Sequence, residues 1–164
     1  MPRSTNTTSY LRNFIFGVED SLVSTVGLLS GITTAGATRE TVLTTGVILI
    51  FVEAISMAAG SFLSESEVEI YETHKDSPTR RSYIDAIIMF VSYIVSGCIP
   101  LLPYFLFQHD TAFWVSIILS LITLLIIGIV GAKISGTRVW KNTARMVVIG
   151  GSAIAVGSII GRLF

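Results

Sequence analysis

The sequence predicts an all-α membrane protein, in which a single domain of residues 1–164 contains five transmembrane helices. Hydrophobic residues make up 51% of the chain, and its mean hydropathy is +0.74. Charged residues make up 13%, which is about half the fraction usual in soluble domains and argues against a soluble enzyme. The 11 Lys and Arg residues are balanced by 11 Asp and Glu residues, so no basic surplus indicates a nucleic-acid partner.

Five stretches reach the length of about 20 mostly apolar residues that a helical span requires. They follow one another along the chain and are joined by short links, except for one longer link at residues 64–82. No stretch outside them is long enough to form a soluble domain. The predicted spans are residues 14–36, 41–63, 83–107, 112–134 and 143–163.

Proline and glycine residues distinguish three of these spans. Pro100 and Pro103 remove backbone donors from the third span, so its helix should kink or end near them. Glycines four residues apart in the first and fifth spans permit two helices to approach closely. This spacing predicts tight packing, either within the chain or between two copies of it. The glycines are Gly27, Gly31, Gly157 and Gly161.

Basic residues predict the direction in which the chain crosses the membrane. Successive links alternate between the two faces, and all Lys and Arg residues except Arg39 and Arg162 fall on the face of the amino terminus. By the positive-inside rule, the amino terminus is cytosolic and the carboxyl terminus is outside. The residues on the cytosolic face are Arg3, Arg12, Lys75, Arg80, Arg81, Lys133, Arg138, Lys141 and Arg145.

Two carboxylates lie where a membrane should exclude charge. Asp20 is in the first span and Glu53 in the second, although an acidic residue at mid-helix costs about 2.5–3.5 kcal/mol. Asp20 and Met57 lie at the same depth in antiparallel spans, about 9 Å from the cytosolic edge. Glu53 is one turn deeper than Met57, on the same face. If the two spans pack together, these side chains can converge on one volume, with Ser24 and Ser56 as further oxygen donors.

These side chains match the ligands of a divalent transition metal. Carboxylates bind hard and borderline cations, and a thioether adds a preference for transition metals over Mg2+ or Ca2+. A carboxylate in a low dielectric favours its protonated form, so it can exchange a proton for a metal. Three other interpretations stay open: Met57 as packing, Glu19 as an interfacial residue, and Asp20 and Glu53 as protonated partners in interhelical hydrogen bonds.

Acidic residues crowd the longer link, which is predicted to lie in the cytosol. If the second span continues as a helix, four of them fall on one face, where a bound cation would relieve their mutual repulsion. This face is rotated by about a quarter turn from Glu53 and Met57, so it would form a separate, earlier site. The alternative is a solvated acidic helix balanced by neighbouring basic residues. The four residues are Glu65, Glu69, Glu72 and Asp76.

Three segments resemble the vacuolar iron transporter family. RNFIFGVEDSLVSTVGLLSG, at residues 12–31, is similar to that family's first span, in which a basic residue and FGV precede an aspartate and LVST. EAISMAAGSFLS, at residues 53–64, is similar to its second span, with an AISM core followed by small residues. IPLLPY, at residues 99–104, is similar to its third span. The likeness continues to the end of the chain.

The resemblance implies a five-span fold, a homodimer with the metal path near its interface, and proton-coupled export of Fe2+ and similar ions. It matches Asp20 to the family's transport aspartate and Met57 to its second-span methionine. The family often has a glutamate eight residues before that methionine; here the position is Leu49, and the carboxylate is at Glu53. The family's long cytosolic metal-binding segment is reduced here to the short acidic link at residues 64–82.

We therefore expect a multi-pass protein of a prokaryotic plasma membrane that exports Fe2+ or Mn2+ in exchange for protons. Metal would be gathered at Glu65, Glu69 and Glu72 and then passed to Asp20, Met57 and Glu53, with Glu19 also on the path. The expected partners are metal ions, protons, membrane lipid and a second copy of the chain. No cofactor and no nucleic acid is expected.

One other function class stays open, and another is disfavoured. The shortened link is compatible with a metal-binding or scaffolding membrane protein that has no transport activity. An intramembrane enzyme is disfavoured, because neither His74 nor His109 lies inside a predicted span and no acid, base and nucleophile set is present. The single cysteine, Cys98, excludes a disulfide within the chain.

Overall fold

The computed structural model describes residues 5–74 and 80–163, and the regular structure in these segments is entirely helical. All of its helices are long and apolar enough to cross a membrane, which confirms the predicted class and the five spans. The direction of crossing stays a prediction. The helices are α1 (Thr5–Thr34), α2 (Arg39–Thr73), α3 (Arg80–Leu106), α4 (His109–Ser135) and α5 (Val139–Gly161).

Successive helices run in opposite directions. Ser9 near the start of α1 bonds to Asp85 near the start of α3, and Thr33 near the end of α1 bonds to Tyr104 near the end of α3. We call the end of the bundle at which α1 begins the amino-terminal end. The end of α2, the start of α3 and the link from α4 to α5 also lie there, so every helix has one terminus at each end.

Helix α1 lies at the centre of the bundle and packs against all four other helices. Leu22, Val26 and Leu29 along it are fully buried. In the absence of a hydrophobic driving force between helices in lipid, such packing must depend on close fit and on interhelical hydrogen bonds. Central placement of α1 means that many of its side chains face another helix or a cavity between helices.

The predicted glycine motifs meet each other within the chain, where α1 packs against α5. A Cβ atom at Gly157 would collide with the carbonyl oxygen of Gly27, and one at Gly161 would collide with that of Gly31. A Cβ atom at Gly31 would in turn lie 3.0 Å from the carbonyl oxygen of Gly157. The two backbones are therefore too close for any larger residue at these positions.

Helix α2 extends well beyond its predicted span, so most of the acidic link is helical. It ends at Thr73, and His74 adopts the left-handed conformation with φ 52°. The backbone N–H of His74 donates to the carbonyl oxygen of Ile70 at 2.8 Å, which closes the last turn. Three residues named above lie outside the described residues: Arg3, Lys75 and Asp76.

Helix α3 continues through both of its prolines and ends soon after the second, in agreement with the prediction that it kinks or ends near them. It includes Pro100 and Pro103 and runs on to Leu106. The carbonyl oxygen of Pro100 accepts a hydrogen bond from Ser116 Oγ of α4 at 2.6 Å, and the backbone N–H of Phe107 donates to that of Pro103 at 2.9 Å. The helix thus continues through two positions that lack a backbone donor, which membrane helices tolerate.

Candidate functional site

A crevice of about 630 Å³ between α1, α2 and α5 contains both carboxylates predicted for the transport path. Asp20 and Glu53 line it, and both are half-buried. Apolar and small residues, among them Leu49, Val156 and Gly157, form most of its remaining wall. We call this space the carboxylate crevice. Asp20 of the first span and Glu53 of the second therefore line one space, and their role in transport stays a prediction.

Tyr93 of α3 fixes the position of Glu53. Its ring is fully buried, its hydroxyl donates to Glu53 Oε2, and the same hydroxyl lies 2.7 Å from Ser24 Oγ. Since the single phenolic hydrogen is directed to Glu53, Ser24 must donate to the tyrosine oxygen. Three helices are joined by this chain of bonds. Ser24 was predicted as an auxiliary oxygen, whereas Tyr93 was not predicted at all.

The two carboxylates have no basic partner. Within residues 5–74 and 80–163, no ion pair joins Asp20 or Glu53 to a Lys or Arg side chain. Two acidic groups in an apolar crevice can be neutralised by protons or by a cation, and the two states are mutually exclusive. The arrangement is chemically suited to exchanging one for the other.

Met57 lies in a different space from the two carboxylates. It lines a cavity of about 610 Å³ at the amino-terminal end of the bundle, between α1 and α2, together with Arg12, Asn13, Ser61 and Glu65. We call this space the methionine cavity. The sequence placed Met57 with Glu53 and set Glu65 apart, but in the structure Met57 lines the same cavity as Ser61 and Glu65, and Glu53 lines the carboxylate crevice.

The acidic residues of the α2 extension have three different environments. Glu65 is buried, forms an ion pair with Arg12, and lies 3.6 Å from Arg81 Nη2. Glu69 is buried and accepts a hydrogen bond from Ser82 Oγ at 2.7 Å. Glu72 is exposed. In this conformation, Glu65 and Glu69 connect α2 to its neighbours and do not form an open acidic face.

Asp85 is an ionisable residue that the sequence interpretation missed. It is fully buried and accepts hydrogen bonds from Ser9 Oγ at 2.9 Å and from Asn13 Nδ2 at 2.7 Å. Arg81 Nε of the same helix lies 3.9 Å from its carboxylate. The sequence does contain a signal for it. Residue 85 falls inside the predicted third span, and an ionisable residue in an apolar span is a candidate functional residue, as was argued for Asp20.

Glu19 faces away from the carboxylate crevice. It lines a small pocket of about 220 Å³ between α1, α4 and α5, with Asn142 and Arg145 among the other lining residues. Asn142 Nδ2 donates to the carbonyl oxygen of Gly128 at 2.9 Å, which fixes one wall of this pocket. The structure therefore separates Glu19 from Asp20, its neighbour in the chain.

A cluster of three or more His, Cys, Asp and Glu side chains that could hold a metal ion is not found in the part of the chain that the structure describes. Pairs of carboxylates are found, together with amide, hydroxyl and thioether groups. These groups occupy two successive cavities along α1 and α2, the methionine cavity at the end of the bundle and the carboxylate crevice deeper within it.

Comparison with known proteins gives a consistent match. The family model described as VIT family matches residues 11–82 and 71–162. Vacuolar iron transporter homolog 5 of Oryza sativa subsp. japonica is 26% identical over 172 residues, covering 95% of this chain and 81% of that protein. Vacuolar iron transporter 1 of Arabidopsis thaliana is 24% identical, covering 93% and 85%. Vacuolar iron transporter homolog 4 of Arabidopsis thaliana is 29% identical, covering 90% and 80%.

Proposed function

The chain belongs to the VIT family, and we propose from this membership that it is a secondary transporter that moves Fe2+ or Mn2+ out of the cytosol in exchange for protons. The relatives named above carry iron transport in their names. The observation that carries the proposal for this chain is the carboxylate crevice. Asp20 and Glu53 share it, deep in a bundle of helices that are apolar enough to span a membrane.

The exchange follows from the charge of the crevice. A divalent cation bound between two carboxylates neutralises them, and its departure leaves two charges that protons can neutralise in its place. Tyr93 and Ser24 support this cycle, because a carboxylate that accepts a hydrogen bond from Tyr93 keeps its position when its cation leaves. Inward protons would then reload the site for the next cycle.

Membrane, direction and assembly complete the proposal. The basic residues that the sequence assigns to the side of the amino terminus favour a cytosolic position for that side. The proposed membrane is a prokaryotic plasma membrane, whereas the relatives are plant proteins named as vacuolar. A homodimer is proposed as the working unit. The exposed face of α2 offers it a surface of large apolar side chains: Ile48, Phe51, Val52 and Ile55.

The variant Asp20→Asn tests the transport proposal. It keeps the size of the side chain but cannot carry the negative charge that a cation requires, so we expect the initial rate of Fe2+ uptake into proteoliposomes to fall at least tenfold. An imposed proton gradient should accelerate uptake by the parent protein. Glu67→Gln, which neutralises an exposed carboxylate on α2, serves as the matched control and should leave the rate unchanged.

Transport by Asp20→Asn at the parental rate would overturn the proposed role of the crevice. Uptake that does not respond to a proton gradient would remove the exchange with protons. Metal binding without uptake by the parent protein would instead favour the non-transporting membrane protein.

A further inference from the structure

We propose that the methionine cavity is a second cation site, in which Asn13, Met57 and Glu65 supply the ligands and the Arg12 guanidinium pairs with Glu65 until a divalent metal displaces it. The inference rests on the proposed function for its choice of ligand, a divalent transition metal. It adds a ligand, Asn13, and a competing cation, Arg12, at a site separate from the carboxylate crevice.

The orientation of the Asn13 amide is set by Asp85. The side chain of Asn13 is buried, and its Nδ2 donates to Asp85 Oδ1 at 2.7 Å. The Asp85 carboxylate lies near Arg81 and accepts a second hydrogen bond, from Ser9 Oγ. Its oxygens are therefore hydrogen-bond acceptors toward Asn13 as well. The reverse orientation of the amide would place its oxygen against the carboxylate oxygens. The nitrogen of the Asn13 amide must accordingly face α3.

The carbonyl oxygen of Asn13 is consequently directed toward α2. It accepts a hydrogen bond from Ser61 Oγ at 3.1 Å, and Asn13 and Ser61 both line the methionine cavity. An amide oxygen has two lone pairs, and Ser61 occupies one of them. The second lone pair can bind a cation on the cavity side without disturbing the bond to Asp85.

Helix α2 adds two different ligands to the same cavity. Met57 and Glu65 are eight residues apart, with Ser61 between them, and all three line the cavity. One carboxylate, one amide oxygen and one thioether form a mixed donor set. The thioether favours Fe2+ or Co2+ over Mg2+, Ca2+ and Mn2+, which prefer oxygen ligands.

The ion pair with Arg12 neutralises the Glu65 carboxylate when no metal is bound. The Glu65 side chain is only 6% exposed, so its charge requires a partner, whereas the Arg12 side chain is 64% exposed. The Arg12 guanidinium can therefore move away from Glu65 into solvent, where water solvates its charge. Arg81, at 3.6 Å from Glu65, stays behind, and its positive charge reduces the attraction between Glu65 and an incoming dication.

Replacing Arg12 with glutamine tests this competition. In full-length Arg12→Gln protein, reconstituted in nanodiscs, we expect Co2+ to bind about tenfold more tightly than in the parent, by isothermal titration. Co2+ serves as an air-stable probe for Fe2+. Lys141→Gln removes one exposed positive charge from the same end of the bundle but lies outside the cavity, so it should leave the affinity unchanged. Equal affinities in Arg12→Gln and Lys141→Gln would overturn the proposal.

The ligands are tested in an Asp20→Asn background, in which the carboxylate crevice is impaired. X-ray absorption at the cobalt edge should show a sulfur neighbour, which Met57→Leu should remove. Asp85→Asn, which no longer constrains the Asn13 amide, should weaken Co2+ binding, and Ser9→Ala should weaken it less because Asn13 keeps its partner. Sulfur scattering that survives Met57→Leu, or undiminished binding in Asp85→Asn, would contradict the proposed ligands.

These results are independent of the transport measurement. If Asp20→Asn transports Fe2+ normally, the proposed function of the crevice fails, but tighter Co2+ binding by Arg12→Gln still supports the second site. If Arg12→Gln and Met57→Leu bind Co2+ as the parent does, the second site fails while the transport result stands.

Discussion

A single hydroxyl group, that of Tyr93, connects Glu53 of α2 with Ser24 of α1. The bond from the hydroxyl to Glu53 is partly buried, and hydrogen bonds to charged groups contribute about 1.5–3 kcal/mol. Its effect on function is to keep Glu53 directed into the carboxylate crevice. Without it, the glutamate side chain has more rotamers available and the two carboxylates lose their fixed relation.

We therefore expect Tyr93→Phe to retain the fold and to lower the initial rate of Fe2+ uptake about tenfold, because the ring stays and only the hydroxyl is lost. Uptake into proteoliposomes measures this effect. Tyr104→Phe is the matched control, since Tyr104 is also buried in α3 and its hydroxyl lies 3.0 Å from Thr33 Oγ1, away from the crevice. Similar uptake by the two variants would argue against a specific role for Tyr93.

Single residues differed in how well the sequence predicted them. Asp20 and Glu53 could be recognised because ionisable groups in apolar spans are rare, and helix antiparallelism then placed them together. Asp85 is also an ionisable group in an apolar span, but the sequence interpretation did not include it. The placement of Met57 with Glu65 could not be predicted, because Glu53, Met57 and Glu65 share one four-residue series along α2 and this spacing does not show where one cavity ends and the next begins.

At the level of helices, α1 and α5 are held together by glycine and α1 and α3 by polar side chains. The polar contacts explain why α1 begins far before its predicted apolar span. Its first turns carry Ser9 and Asn13, which bond to Asp85 and so require helical backbone at that end. A hydropathy window detects apolar residues only, so it located the spans but not the polar helix ends.

Gly157→Ala tests the contact between α1 and α5. The added Cβ would collide with the Gly27 carbonyl oxygen, and overpacking of this kind costs about 2 kcal/mol of unfolding free energy. Gly151→Ala on the same helix places its Cβ where no atom lies within 4 Å, so it should be neutral or slightly stabilising through higher helix propensity. Denaturation followed by circular dichroism would compare them, and equal stability would show that the helices can separate without loss.

For the whole molecule, an odd number of antiparallel helices places the two termini of the bundle at opposite ends. The basic residues that predict orientation concentrate at one of these ends, where Lys133, Arg138, Lys141 and Arg145 are exposed. At the other end, Arg39 donates hydrogen bonds to the carbonyl oxygens of Tyr104 and Phe105 at 2.6 and 2.7 Å. The basic residues are therefore distributed unequally between the two ends of the bundle.

Cysteine labelling checks the resulting orientation. In a Cys98→Ser background, Asp110→Cys should react with a membrane-impermeant maleimide added to intact cells, because the start of α4 is predicted to lie outside. Glu67→Cys, in the α2 extension, should react only after the membrane is opened. Asp110 and Glu67 are both exposed, so the protein itself should not shield either introduced cysteine from the maleimide. The reverse labelling pattern would overturn the predicted direction.

The close backbone contact of α1 with α5 has a consequence for how this sequence tolerates random change. In a mutant library selected only for cellular abundance, larger residues should disappear at Gly27, Gly31, Gly157 and Gly161, since they separate two helices. Asp20 should tolerate neutral replacement in the same selection, because a carboxylate without a basic partner contributes little to folding. Selection for metal resistance should then restore the requirement for Asp20. Comparing the two selections would distinguish the residues required for folding from those required for transport.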